Sequence, residues 1–229
     1  MSNSQTPLLD VLDADTRRRL LAQARLIRVR KGQALVSRGE MSTDVLIVQD
    51  GRLRALLYTA DGREVSLREL SPGQMIGELS ALDGAVRSVS VVAVEDSRLM
   101  AFGQRAFREV IEGTPAAADW LLRRLANQVR SLTDRVFELS ALNVQTRLHC
   151  ELLRLARLQG GQIESLPTHA ELASRIATHR EAVTRELSAL ERRKVLKSGR
   201  RRLVFLDLEQ LDREVQAKLR TPVAEESGW

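Results

Sequence analysis

Two hydrophobic rhythms divide the 229 residues. Between Ile27 and Phe102 the apolar residues come in short or alternating runs: LIRVR, QALVS, DVLIVQ, RLRALLYT, EVSLREL, SVSVVAVE and SRLMAF. Glycines at 32, 39, 51, 62, 73 and 84 punctuate them. Short runs of this kind, separated by turn residues at regular intervals, predict an all-β sandwich or barrel. Asp61-Gly62 in YTADGREV predicts a hairpin. Ahead of the strands, residues 7–24 predict one short helix with apolar positions Leu8, Leu9, Val11, Leu12, Leu20 and Leu21.

After Phe102 the rhythm lengthens. Residues 104–113 predict a short helix, closed by Gly113 and Pro115. A long helix follows over about 116–141, with Leu122, Leu125, Val129, Leu132, Val136 and Leu139 in alternating steps of three and four. That is the spacing of a coiled-coil seam, flanked here by charges. A helix packed on its own domain also needs one apolar stripe. This stripe is narrow and the helix long, so self-association is the expectation.

A second unit begins at 144. VQTRLHCELLRLARL predicts a helix ended by Gly160-Gly161. Two short helices follow, each with a T-x-x-E capping box: Thr168 with Glu171, and Thr178 with Glu181. Two short helices so close together form a helix-turn-helix candidate. VLKSGRRRLVFLDL then predicts two strands around Ser198-Gly199, a wing, and TPVAEESGW predicts a mobile tail. The expected organisation is a sensor domain over 1–115, a dimerisation helix over 116–143 and a reader over 144–229.

Composition changes this picture in three places. Aromatic residues make up only 3%, so the cores must be aliphatic. The single cysteine, Cys150, excludes an internal disulfide and fits a reducing, cytoplasmic compartment; in an apolar helix its expected state is a buried, inert thiol. His149, His169 and His179 all lie late, which leaves the first 148 residues without a histidine for haem or metal. No apolar run is long enough for a membrane span, and MSNSQTPLLD lacks the regions of a signal peptide. Neither a metal site nor an enzyme is expected.

Charge locates the chemistry. The net charge is +6, and between Arg180 and Arg202 nine Lys/Arg stand against three Glu. Such a concentration points to nucleic acid. Arg180, Glu181 and Arg185 share the leading face of the second short helix, the end that a recognition helix offers to the major groove. Arginine can donate to guanine O6 and N7, and glutamate can accept from cytosine N4. Val183, Leu187 and Leu190 then face inward. Arg200, Arg201 and Arg202 on the wing suit phosphates, which add affinity without sequence choice. Thr168, Thr178 and His179 complete the candidate DNA-facing set.

The stretch GELSALDGAVRS, Gly77–Ser88, has two readings. Glu78 and Arg87 form a salt bridge across an ordinary loop, or they cradle a ligand. In the second case Glu78 accepts from a sugar hydroxyl and Arg87 pairs with a phosphate, helped by Ser88 and backbone amides. Spacing alone favours the loop.

The whole chain resembles the CRP/FNR family of bacterial transcription regulators. IGELSALDGAVRSVSV resembles the phosphate-binding cassette of cyclic-nucleotide-binding domains, with Gly77, Glu78, Leu79, Arg87 and Ser88 matching. HREAVTREL resembles the family's recognition helix, with R-E-x-x-x-R intact at Arg180, Glu181 and Arg185. The resemblance implies an α+β chain. A β-roll (a double-stranded jelly roll of the cyclic-nucleotide-binding type) is followed by a long dimerisation helix and a winged helix-turn-helix. It implies a homodimer on palindromic DNA with TGTGA-like half-sites, RNA polymerase as a partner, and no membrane. The implied ligand-binding set is Leu70, Gly77, Glu78, Leu79, Arg87, Ser88, Val89 and Thr133, with no tightly bound cofactor. Relatives that bind cyclic AMP place Thr-Ser on the long helix to contact adenine. Here the pair is Leu132-Thr133, so cyclic AMP is the first expectation while cyclic GMP, another nucleotide or no ligand stay open. Two other readings remain: a regulator that binds DNA without a nucleotide, and a cyclic-nucleotide module that acts on a protein partner.

Overall fold

The computed structural model describes residues 7–60, 62 and 64–219, so the expected mobile tail and the first six residues lie outside the described part. The chain divides into two compact units between Ser131 and Leu132.

The first unit opens with α1 (Leu8–Val11) and α2 (Ala14–Ala22), followed by β1 (Arg25–Val29), β2 (Ala34–Val36), β3 (Val45–Asp50), β4 (Leu53–Tyr58), β5 (Glu64–Leu70) and β6 (Met75–Ile76). Next come α3 (Glu78–Asp83), β7 (Ser90–Ala93), β8 (Ser97–Phe102), α4 (Gln104–Gly113) and the long α5 (Pro115–Ala141), which runs through the division. The helix expected over 7–24 is two helices. Asp13 breaks it: its carboxylate accepts from the N–H groups of Asp15 and Thr16 at 3.0 and 2.9 Å and so caps α2.

The strands form two antiparallel four-stranded sheets, in the orders β1-β8-β3-β6 and β2-β7-β4-β5. All seven runs read from the sequence are strands; β6 is the addition. Hairpin β4–β5 pairs from Leu53↔Leu70 to Tyr58↔Glu64. Its loop carries Gly62 at φ 79°, while Asp61 lies outside the described residues. The continuous run VLIV of β3 is explained by cover on both faces. Leu46 and Val48 join the core between the sheets, with Val29, Leu53, Leu70, Val91 and Leu99. Val45 and Ile47 face a second cluster built with Leu8, Leu20, Phe102, Phe107 and Leu121.

On α5, Leu125 packs partly against that second cluster. Leu122, Val129, Leu132, Val136 and Leu139 remain between 42% and 67% exposed. These five seam residues are thus exposed, unlike Leu125.

The second unit holds α6 (Val144–Leu158), α7 (His169–Arg175), α8 (Arg180–Arg192), β9 (Leu196–Gly199), β10 (Arg202–Phe205) and α9 (Leu208–Leu219). Its core combines Leu148, Leu152, Ile163, Leu172, Ile176, Val183, Leu187, Leu190, Leu203 and Leu211. The wing turns at Arg200–Arg201, two residues later than expected: Gly199 pairs with Arg202 inside the ladder. Helix α9 was not foreseen, although Leu208, Leu211, Val215 and Leu219 fall at helical steps of three and four; Leu211 and Val215 are buried, and Leu208 and Leu219 pack partly against the same core. Among the described residues no helix is long and apolar enough to cross a membrane.

Candidate functional sites

The stretch from Gly77 to Ser88 contains a helical turn rather than loop alone. Gly77 sits at φ 90° at the N-cap of α3. A Cβ on it would lie 2.1 Å from Arg87 Nη1 and 2.4 Å from the Asp44 carbonyl oxygen. Only glycine fits, both for the left-handed backbone and for the closeness of the guanidinium. Gly84, at φ 72°, closes α3, and its N–H donates to the Ser80 carbonyl at 3.0 Å. The chain then returns to Arg87, whose N–H donates to the Glu40 carbonyl and whose carbonyl accepts from Gly39 N–H, both at 2.9 Å.

The Arg87 side chain is 3% exposed. Nη2 donates to Ser42 Oγ at 2.9 Å and to the Asp44 carbonyl at 2.7 Å. Nε and Nη1 are buried without a partner. Burial pulls the guanidinium below its ordinary pKa, and Glu40, Asp44 and Glu78 oppose that shift. An unmatched buried donor is expensive. Two on one cation mark a place shaped for an acceptor.

Glu78, 2% exposed, does not pair with Arg87. The cross-loop salt bridge is therefore corrected: Glu78 Oε1 lies 3.6 Å from Arg124 Nη2 and 3.9 Å from Arg68 Nη2. Arg124 also donates to the Met75 carbonyl at 2.9 Å. Burial lowers the pKa of Arg68, with Glu78 opposing and Arg124 adding to the shift. Ser42, Arg68 and Arg124 were missed from the sequence because each comes from an element distant in the chain. Ser88 and Leu79 are exposed, Val89 is half-buried against the inter-sheet core, and Leu70 is fully buried within it. Thr133 is exposed on α5.

In the second unit the first capping box forms as expected. Glu171 N–H donates to Thr168 Oγ at 3.2 Å, and Thr168 N–H donates back to the Glu171 carboxylate at 2.7 Å. The second box does not form. Helix α8 starts at Arg180 with His179 as N-cap and no side-chain cap bond. Thr178 is used to finish α7: its N–H donates to the Ala173 carbonyl at 2.9 Å across Ala177, which is left-handed at φ 51°. This is the Schellman closure, and it moves the start of α8 by one residue.

Helix α8 buries Val183, Leu187 and Leu190 and exposes Arg180, Glu181, Thr184, Arg185 and Ser188. Among the described residues no hydrogen bond or ion pair engages the Arg180, Glu181 or Arg185 side chain. The inner face is held by a polar anchor that the sequence did not disclose. Glu186 is buried and meets His149 Nε2 at 2.9 Å and Gln145 Nε2 at 2.8 Å, both on α6. A chain of ions ties the end of α5 to α6 and α7: Glu138 meets Arg135 and Arg154, and Glu151 meets Arg154 and Arg175. The Cys150 thiol is buried, and that burial, with Glu138, pushes its pKa up to about 11. On the wing Arg200 and Arg201 are exposed, whereas Arg202 pairs with Glu164 at 2.9 Å.

Comparison with known proteins assigns both units. Residues 26–114 match the cyclic nucleotide-binding domain, and residues 146–214 match the Crp-like helix-turn-helix domain. The chain is 32% identical over 169 residues to a cyclic AMP receptor protein of Thermus thermophilus, covering 74% of this chain and 78% of that one. It is 27% identical over 192 residues to a CRP-like cAMP-activated global transcriptional regulator of Mycobacterium tuberculosis, covering 81% and 86%. The crystal structure of the Thermus thermophilus catabolite activator protein superposes with a TM-score of 0.54 at 28% identity, over 93% of this chain and all of that one.

Proposed function

This chain belongs to the CRP/FNR family of transcription regulators, and from that footing we propose that it is a cytoplasmic homodimer switched by a cyclic nucleotide, cyclic AMP first. The observation that carries the effector reading is Arg87. Its buried Nε and Nη1 are unpaired, beside a glycine that leaves no room for any side chain. A cyclic phosphate carries one negative charge and two free oxygens, which suits two such donors. Glu78, buried beside Arg68 and Arg124, supplies the carboxylate that would accept from a ribose hydroxyl. Relatives described as a cyclic AMP receptor protein and a cAMP-activated regulator favour cyclic AMP.

The output is DNA. Helix α8 offers Arg180, Glu181 and Arg185 to a TGTGA-like half-site, and Arg200 and Arg201 of the wing meet phosphates. The exposed seam from Leu122 to Leu139 joins two copies, and the dimer reads a palindrome with half-sites about one helical turn apart. RNA polymerase is the partner that such a regulator recruits or blocks. The nucleotide acts through its different affinity for the two arrangements of the dimer.

The test is calorimetry with cyclic AMP and with cyclic GMP, repeated with operator DNA, on wild type and Arg87→Leu. Thermal melting controls for folding, and sedimentation gives the mass. A dimer that binds nucleotide, and a variant weakened by about 100-fold or more, support the reading. A variant that keeps its full nucleotide-dependent DNA binding removes the phosphate role of Arg87, and a monomer mass removes the seam. Leu132, apolar where relatives contact the base, favours a second reading: DNA binding that needs neither nucleotide. Operator binding without any heat from either nucleotide selects it.

A further inference from the structure

We infer that Thr184 is a further base-reading position of α8, one that presents its methyl group to the 5-methyl group of a thymine, and that His169 is the positioning residue that holds it. The inference rests on the reading of α8 given above. Thr184 follows Arg180 by four residues and Glu181 by three, which places it on their face of the helix. It is exposed, and yet its hydroxyl is engaged twice. Oγ donates to the Arg180 carbonyl at 3.1 Å and meets His169 Nδ1, from α7, at 2.8 Å.

Proton counting fixes the roles. A threonine hydroxyl has one proton and two lone pairs. If that proton went to His169, the Thr184 and Arg180 oxygens would oppose lone pairs at 3.1 Å. Both contacts are satisfied only when Thr184 donates to the Arg180 carbonyl and His169 Nδ1–H donates to Thr184 Oγ. Nδ1 of the imidazole therefore carries a hydrogen, assigned by the network around it. With the hydroxyl held from both sides, its rotation about Cα–Cβ is locked, and the group left to face outward is the methyl. In the major groove an outward methyl matches the thymine 5-methyl, the one apolar marker among base edges. His169 sits on α7, so the same bond also clamps the two helices of the reader to each other.

The experiment replaces single thymines by deoxyuridine, which removes only the methyl. The full chain first selects its operator from a randomised duplex pool, with cyclic AMP, cyclic GMP or neither, whichever retains DNA. Each thymine of both half-sites is then replaced in turn, and affinity is read by fluorescence polarisation. One position should weaken wild type by about fourfold per half-site, the worth of a buried methyl. Thr184→Ser keeps the hydroxyl and should lose this sensitivity; Thr184→Val, which keeps a methyl but loses both hydrogen bonds that hold it, should blunt it. His169→Leu should likewise blunt the sensitivity, and His169→Asn, which restores an N–H near Nδ1, should recover it. No responding thymine, or a response undiminished in Thr184→Ser, overturns the inference. Arg180→Ala separates the two levels. If it spares sequence preference, the reading of α8 fails as a whole; if it erases preference while no thymine responds, Thr184 alone is wrong.

Discussion

Arg87 and Arg180 carry the same guanidinium into opposite surroundings. Arg87 is 3% exposed, held by Ser42 and Asp44, with two donors left unmatched. Arg180 is exposed and its side chain is engaged by nothing among the described residues. Folding has already removed water from Arg87, so a small anion meets donors that need no reorganisation. On the proposed reading Arg180 loses its water only when DNA arrives, and the exchange occurs on a surface where salt competes. The first arrangement suits a ligand of fixed shape that must alter the protein. The second suits a partner whose sequence must be compared many times, quickly and reversibly. It follows that the proposed nucleotide site and the stability of the β-roll should be linked, whereas the proposed DNA site and stability should be nearly independent.

The largest effect that breaks the comparison is Gly77→Ala. The new Cβ would press on Arg87 Nη1 and the Asp44 carbonyl at a φ that alanine resists. A loss of roughly 3 kcal/mol or more is expected, a fall of about 6–12 °C in the melting of this unit. Nucleotide binding should go with it. Differential scanning fluorimetry decides; a shift under about 1 °C would show that the cradle is loose rather than tight. Next comes Arg180→Ala. Its melting point should stay within about 1–2 °C of wild type, the effect of a bland surface change. Affinity for the selected operator should fall about 10- to 100-fold per half-site, and affinity for random duplex far less. Equal losses on both duplexes would remove its base-reading role.

The sequence disclosed the two sites unequally, for the same physical reason. The period-two strands were legible, and so was the β3 run once both its faces are covered; β6, Met75–Ile76, is too short to show any period. The exposed face of α8 was legible because one helix carries it: inward Val183, Leu187 and Leu190 fix where Arg180, Glu181 and Arg185 must point. Spacing alone favoured a Glu78–Arg87 pair, and the structure gives each a different set of partners. Arg68, Arg124 and Ser42 arrive through tertiary folding, which local spacing does not encode. Thr178 shows the converse. Its T-x-x-E pattern is real, yet Ala177 in the left-handed region turns Thr178 N–H back to Ala173, and the cap passes to His179. Ser198-Gly199 was a sound turn signal displaced by the ladder, which runs on until Gly199 meets Arg202.

The smallest effect lies on the wing and sharpens the comparison. Arg201 holds φ 58° at the turn between β9 and β10, a conformation that glycine adopts without strain and arginine does not. A strained arginine at an exposed tip is a sign that its charge is kept for use rather than for folding. Arg201→Gly should therefore do two opposite things. It should leave stability unchanged or raise it by less than about 1 kcal/mol, a gain of up to roughly 3 °C in melting. It should also reduce the slope of log affinity against log salt by about one for each subunit on DNA, equally for operator and random duplex. Arg200→Ala should reproduce the change in slope without the gain in stability, since Arg200 carries no positive φ. Measured together by polarisation titrations across salt and by thermal melting, the pair separates charge from backbone. A fall in stability with Arg201→Gly, or an unchanged salt slope in both variants, would show that the wing holds the reader in shape and does not touch phosphate.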